Sequence, residues 1–95
     1  MINKTFLQDL GATLDYQFDW TPWLTEAGDT ISTQVTTPTS GLTLVSSSHD
    51  GFVVTAWVTI DSGTPKGRLL ELNCKITTAA GRIDERTIYI KASQL

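Results

Sequence analysis

Apolar and polar residues alternate with a period of two along most of the chain. That is the pattern of extended strands with one face turned to a core. Over Phe52–Ile60, one face collects Phe52, Val54, Ala56, Val58 and Ile60, and the other Val53, Thr55, Trp57 and Thr59. Over Arg68–Thr78, Leu70, Leu72, Cys74 and Ile76 lie opposite Glu71, Asn73, Lys75 and Thr77. Within Arg82–Ala92, Ile88 and Ile90 oppose Thr87, Tyr89 and Lys91, and within Asp29–Thr36, Ile31, Thr33 and Val35 oppose Ser32 and Gln34. With Leu14–Trp20 and Gly41–Ser46, these runs predict six or seven antiparallel strands, each buried on one side.

Turn chemistry separates the runs. Glu26–Asp29, Pro38–Gly41, His49–Gly51, Asp61–Gly67 and Ala79–Gly81 supply Gly for positive φ, Pro for fixed φ, and Asp or Ser for local backbone hydrogen bonds. Ala79-Ala80-Gly81 reads as a tight hairpin and Gly63-Thr64-Pro65-Lys66-Gly67 as a long hairpin connection. The expected fold is an all-β, immunoglobulin-like antiparallel β-sandwich of about seven strands spanning residues 14–95, with a small closed barrel as the second choice. Residues 1–13 are expected to form an N-terminal arm. Lys4–Leu10 is the one segment able to support a short helix, with Phe6, Leu7 and Leu10 along one side, packed either on its own domain or on a neighbour.

Composition narrows the function. The 95 residues make one domain, and a mean hydropathy of -0.04 without any long apolar run argues against a membrane span. Seven Lys plus Arg against ten Asp plus Glu give a net charge of -3, leaving no basic surface for phosphate backbones. One Cys and one His exclude an internal disulfide and a Cys/His metal cluster. The first ten residues lack the apolar core of a cleaved signal, so synthesis in a reducing cytoplasm is expected.

Candidate chemistry is sparse. His49, the one imidazole, lies in the serine-rich stretch Ser46–Gly51, which reads as a turn rather than a nucleophile and its base. Asp15 with Asp19, and Asp84 with Glu85, are the candidate carboxylate pairs. The first pair falls on a solvated strand face, and adjacent residues of the second point to opposite sides. No catalytic, cofactor or metal site is expected. Trp20-Thr21-Pro22-Trp23 cannot run straight through Pro22, so the chain should bend there and plug one end of the sandwich with indole rings, with a ligand platform as the lesser alternative. Arg82, Asp84 and Arg86 share one side of the last strand, where opposite charges can pair along the hairpin and fix its register.

Leu14-Asp15-Tyr16-Gln17-Phe18-Asp19-Trp20, Trp23-Leu24, Gly28-Asp29-Thr30-Ile31, Gly41-Leu42, the Trp57 strand, Ile76-Thr77-Thr78 and Gly81-Arg82-x-Asp84-x-Arg86-x-Ile88-x-Ile90 occur in this order. The combination resembles small virion proteins of tailed bacteriophages, the fiber-tail adaptor and tail-associated proteins with an immunoglobulin-like fold. The likeness runs from about Leu14 to Lys91. Val35 stands where the resemblance leads one to expect Trp.

The resemblance implies a non-enzymatic virion structural protein without cofactor. Several copies would sit in a symmetric hetero-oligomeric assembly, linking tail fibers to the tail nozzle through protein contacts, with no nucleic acid or membrane partner. Phe6, Leu7 and Leu10 of the arm and Thr64, Pro65 and Lys66 of the long loop are the candidate partner-binding residues, while Trp20, Trp23, Trp57, Arg82, Asp84 and Arg86 carry the structural motif. Free sandwich edges can also accept a strand from another chain. The alternatives are a capsid or connector decoration protein, and a host-surface carbohydrate-binding module in which Trp20, Trp23 or Trp57 stacks on sugars.

Overall fold

The computed structural model of the protein describes residues 5–93. Its elements are β1 (Thr5–Asp9), β2 (Thr13–Asp19), α1 (Thr21–Ala27), β3 (Ile31–Pro38), β4 (Leu42–His49), β5 (Val53–Ile60), β6 (Leu69–Thr78) and β7 (Ile83–Ser93). They form a four-stranded sheet in the order β1-β7-β6-β3 and a three-stranded sheet in the order β2-β5-β4. The two sheets close on one apolar core, the β-sandwich expected from the alternation.

Parity along the strands decides what is inside. Val54, Ala56, Val58 and Ile60 of β5 face Leu70, Leu72, Cys74 and Ile76 of β6, and all are buried. Each fully buried side chain of Leu, Ile or Val size contributes about 1.5–3 kcal/mol relative to an exposed one. Phe52, assigned to the same inner face, lies just before β5 and stays partly exposed.

Three local departures from the expected pattern have physical causes. Where a short helix was allowed over Lys4–Leu10, Thr5–Asp9 is a strand pairing parallel to β7, with Thr5 opposite Tyr89 and Asp9 opposite Ser93, while Lys4 lies outside the described residues. Five residues cannot hold a free helix, whereas the edge of β7 supplies a ready hydrogen-bond ladder.

The helix sits instead at Thr21–Ala27. Pro22 occupies its first turn, where a missing N–H costs nothing, and Gly28 ends it at φ 66, with Gly28 and Asp29 N–H groups donating to the Thr25 and Leu24 carbonyls. Leu24 docks this short helix in the core.

In β3 the register slips between Ile31 and Thr33. That bulge reverses the parity, so Thr36 is buried and Val35, expected inside, is 63% exposed.

Candidate functional site

The two ends of the sandwich differ in construction. At one end, α1, the β4–β5 turn and the β6–β7 hairpin are laced together. Trp20 N–H donates to the Phe52 carbonyl (3.0 Å), Ile31 N–H to Gly51 (2.9 Å) and Ala79 N–H to Thr30 (2.9 Å). The Asp29 carboxylate is the hub. It accepts from Thr30 N–H (2.9 Å), Ala80 N–H (3.2 Å) and Arg82 Nη1 (2.8 Å), the last completing an ion pair. The Thr78 hydroxyl, the Arg82 guanidinium and these amides hold the Asp29 carboxyl down at about 2, against the cost of its burial. The Gly28–Ile31 and Gly81–Ile90 segments, far apart in sequence, thus meet at one ion pair.

Two charges of β7, Asp84 and Arg86, also take partners outside their own strand. Asp84 accepts a hydrogen bond from Trp20 Nε1 (3.2 Å). Arg86 lies over the Trp20 ring, 4.6 Å from its centroid, and donates through Nη1 to the Asp19 carbonyl oxygen (2.6 Å). Trp20 is completely buried and stacks near Phe18 at 6.0 Å, which makes it part of the end plug. Trp23 is half-buried against the same core. Beside this plug, Phe6, Gln17, Phe18, Asp19, Arg86, Thr87 and Ile88 line an open cleft of about 190 Å³ between β2 and β7.

The opposite end brings the two candidate partner-binding segments together. Gly67 N–H donates to the Ala92 carbonyl (2.7 Å) and Ala92 N–H to Arg68 (2.9 Å), so the long loop abuts the end of β7 where β1 pairs. Within the loop, Thr64 is buried and its hydroxyl donates to the Gly41 carbonyl (3.1 Å), while Pro65 and Lys66 face solvent. Gly41 accepts this approach with a φ of 97, and a Cβ there would lie 3.0 Å from Thr64 Oγ1. In the arm, Phe6 packs on Tyr16 at 5.0 Å and Leu10 against the core, but Leu7 is 62% exposed. Leu7 lies in register with Lys91 and, through it, with Leu69, which is 54% exposed. Leu69 and Lys91 were not among the expected residues. Their signal in the sequence is a leucine on the otherwise polar side of the Glu71-Asn73-Lys75 strand.

Inside the arm, Gln8 is fully used. Its Nε2 donates to the Ala12 and Val58 carbonyls (2.8 and 3.2 Å), and its Oε1 accepts from the Tyr16 hydroxyl (2.9 Å), tying β1 to the opposite sheet. Burial, then the nearby Asp15 charge, pushes the Tyr16 hydroxyl above its usual range.

The residues weighed for catalysis have structural surroundings. Asp50 accepts the Phe52 and Val53 N–H groups, which lower its carboxyl and make Asp50–Val53 a turn, with His49 exposed beside it. Asp19 is also held low, first by Thr21. Cys74 is buried, and that burial raises its thiol to about 11. Among the described residues, no group of three or more His, Cys, Asp or Glu side chains could hold a metal ion, and no helix is long and apolar enough to cross a membrane.

Trp57 is 43% exposed in the middle of the outer face of the smaller sheet, with Asp15 opposite it on β2 and Ser46 on β4. No curated protein gives a significant match to the chain. A family model described as podophage GP4 fiber-tail adaptor protein gp77 matches residues 8–91.

Proposed function

Because the chain belongs to the podophage fiber-tail adaptor family, we propose that it is a virion structural piece that links tail fibers to the tail nozzle through protein–protein contacts. The observation that carries this reading is the family match across residues 8–91, which takes in every strand of both sheets except the start of β1 and the end of β7. In this reading several copies sit around the tail in a symmetric assembly made with their partners. The protein is made in the host bacterial cytoplasm and acts without catalysis.

The contact surface in this reading is the end where arm and loop converge. Leu7 and Leu69 flank Lys91 on one sheet face, with Pro65 and Lys66 exposed at the adjoining loop. Exposed apolar side chains on either side of a lysine, with a second lysine at the adjoining loop, suit a protein partner. Mixing the protein with the purified fiber and tail-nozzle proteins of the same phage tests the reading by co-migration. Wild-type protein should bind at least one of them, and Leu7→Ser with Leu69→Ser should weaken that binding without changing the fold. Failure of the wild type to associate with either removes the adaptor role.

The placement of Trp57 favours a second reading, contact with host-surface sugar. An indole face beside a carboxylate and hydroxyls is the surface that sugar rings stack on. Saturable quenching of Trp fluorescence by host polysaccharide, abolished in a folded Trp57→Ala protein, would favour it over the adaptor.

A further inference from the structure

Charge is divided between the two layers of the sandwich. Apart from Lys4, which lies outside the described residues, every Lys and Arg falls between Lys66 and Lys91, on β6, on β7 or in the loops before and between them. The smaller sheet, β2-β5-β4, therefore carries carboxylates and no Lys or Arg. On its outer face Asp15 stands beside Trp57, and the bulge of β4 sets both Val45 and Ser46 opposite that indole, with Val45 58% exposed.

The larger sheet presents the converse. On its outer face Lys75 of β6 lies in register with Val35 of β3, an exposed apolar side chain. Both are remote from the points where the chain enters this layer at Thr5 and leaves it at Ser93. β1 and β3 are opposite edges of the sheet, and Lys75 is level with Glu85, near the other end of β7 from Ser93. Among the described residues, neither Asp15 nor Lys75 has a side-chain hydrogen bond or an ion pair.

The two pairs match in spacing as well as in character. Asp15 and Trp57, like Lys75 and Val35, are directly opposite residues on neighbouring strands, about 4.5–5.5 Å apart at Cβ. Laying β2 and β5 of one copy over β6 and β3 of another brings Asp15 to Lys75 and Trp57 to Val35 at once, and leaves Glu85 beyond the overlap. Of the two directions in which β2 can lie along β6, one sets Asp19 against Glu71 and the other carries it toward the Arg82 turn, so like charge excludes the first.

We propose that these two faces bind each other between copies of this chain, the Asp15–Trp57 face of one copy seating on the Lys75–Val35 face of the next. The contact joins two different surfaces, so it repeats from copy to copy and either closes into a ring or runs on as a filament. This inference rests on the reading that several copies surround the tail, and names the surfaces through which they meet.

Sedimentation velocity of the full chain over rising concentration tests it. Wild type should self-associate past the dimer, and more weakly at high salt, because the contact pairs exposed charges. Asp15→Lys and Lys75→Asp should each weaken self-association roughly tenfold or more with circular dichroism unchanged. An equimolar mixture of the two should regain it, since every contact in the mixed assembly then sets opposite charges together. Self-association undiminished in both variants, or a mixture no more associated than either variant alone, would overturn the proposal. A wild type that stays monomeric throughout while binding the fiber or nozzle protein would overturn it and leave the adaptor role standing, and quenching of that monomer's Trp57 by host polysaccharide would give the face to sugar. Self-association with the expected charge effects, but no binding to either protein, would remove the adaptor reading and keep the contact.

Discussion

Arg86 reaches across the end of the sandwich to lie over the indole of Trp20, 4.6 Å from the ring centroid, and hydrogen-bonds the carbonyl of Asp19 next to it. One side chain of β7 thereby fixes where β2 stops and α1 begins. Arg82, Asp84 and Arg86 lie on the last strand and its turn, yet none pairs with another of the three: Arg82 serves Asp29, while Asp84 and Arg86 hold Trp20 by its N–H and its ring. The charges hold the sheets and the helix together at that end.

Removing Arg86 should therefore cost more than a surface ion pair would. Arg86→Ala loses a partly buried cation–π contact and a charge-assisted hydrogen bond, and should lower stability by about 1–3 kcal/mol in denaturant unfolding followed by Trp fluorescence. Arg86→Lys keeps the charge without the planar fork and should fall between. An alanine variant as stable as wild type would show that the Trp20 plug stands without its cover.

The Asp29 hub should be visible in acid. Its folded carboxyl sits at about 2, below the ordinary value of 3.8. A lowered carboxyl stabilises the fold fully above the unfolded value, and that contribution drains away as pH falls from about 4 toward 2. Melting temperatures measured over this window should drop more steeply for wild type than for Asp29→Asn, which is less stable at neutral pH but has no such charge to lose. Parallel curves would mean that the acid transition comes from other carboxylates.

Gln8 joins the two sheets through buried polar contacts. Gln8→Leu matches its size but strips partners from the Tyr16 hydroxyl and the Val58 carbonyl, and leaving buried groups unpaired costs about 1–3 kcal/mol each. Tyr16→Phe should cost less. The double variant should cost less than the sum of the two, because both remove the same bond. Strict additivity in urea unfolding would show that the hydrogen bond adds nothing.

Much of this architecture was legible in the sequence because it depends on parity. β5 alternates without a break from Val54 to Ile60 and β6 from Leu70 to Ile76, and their buried residues are those the pattern names. The Ala79–Gly81 hairpin was legible as turn chemistry, and Trp20 as a plug from the break at Pro22. What the pattern could not carry was tertiary. The Asp29–Arg82 pair joins residues 53 apart in the chain, and no local rule selects that arginine over its neighbours. The strand at Thr5–Asp9 depends on a free edge of β7 that has no signature within those five residues. Leu7 and Lys66 were picked out singly, but their meeting at one end follows from the β1–β7 register and the Gly67–Ala92 hydrogen bond.

The bulge in β3 offers the sharpest check of register, because it reverses what simple alternation assigns. Counting by twos from Ile31 puts Val35 inside and Thr36 outside, and the slip between Ile31 and Thr33 exchanges them. Thr36 is then buried, with its hydroxyl donating to Gln34 Oε1 at 2.7 Å, while Val35 stands in solvent next to Lys75. Val35→Asp should change stability by no more than about 0.5 kcal/mol, as surface substitutions do. Thr36→Asp places a charge under the sheet edge beside Cys74 and should destabilise by several times as much. Thermal unfolding of the two variants reads the difference directly. A Val35→Asp protein that fails to fold beside a tolerant Thr36→Asp would put the bulge, and the parity of the whole strand, on the other side.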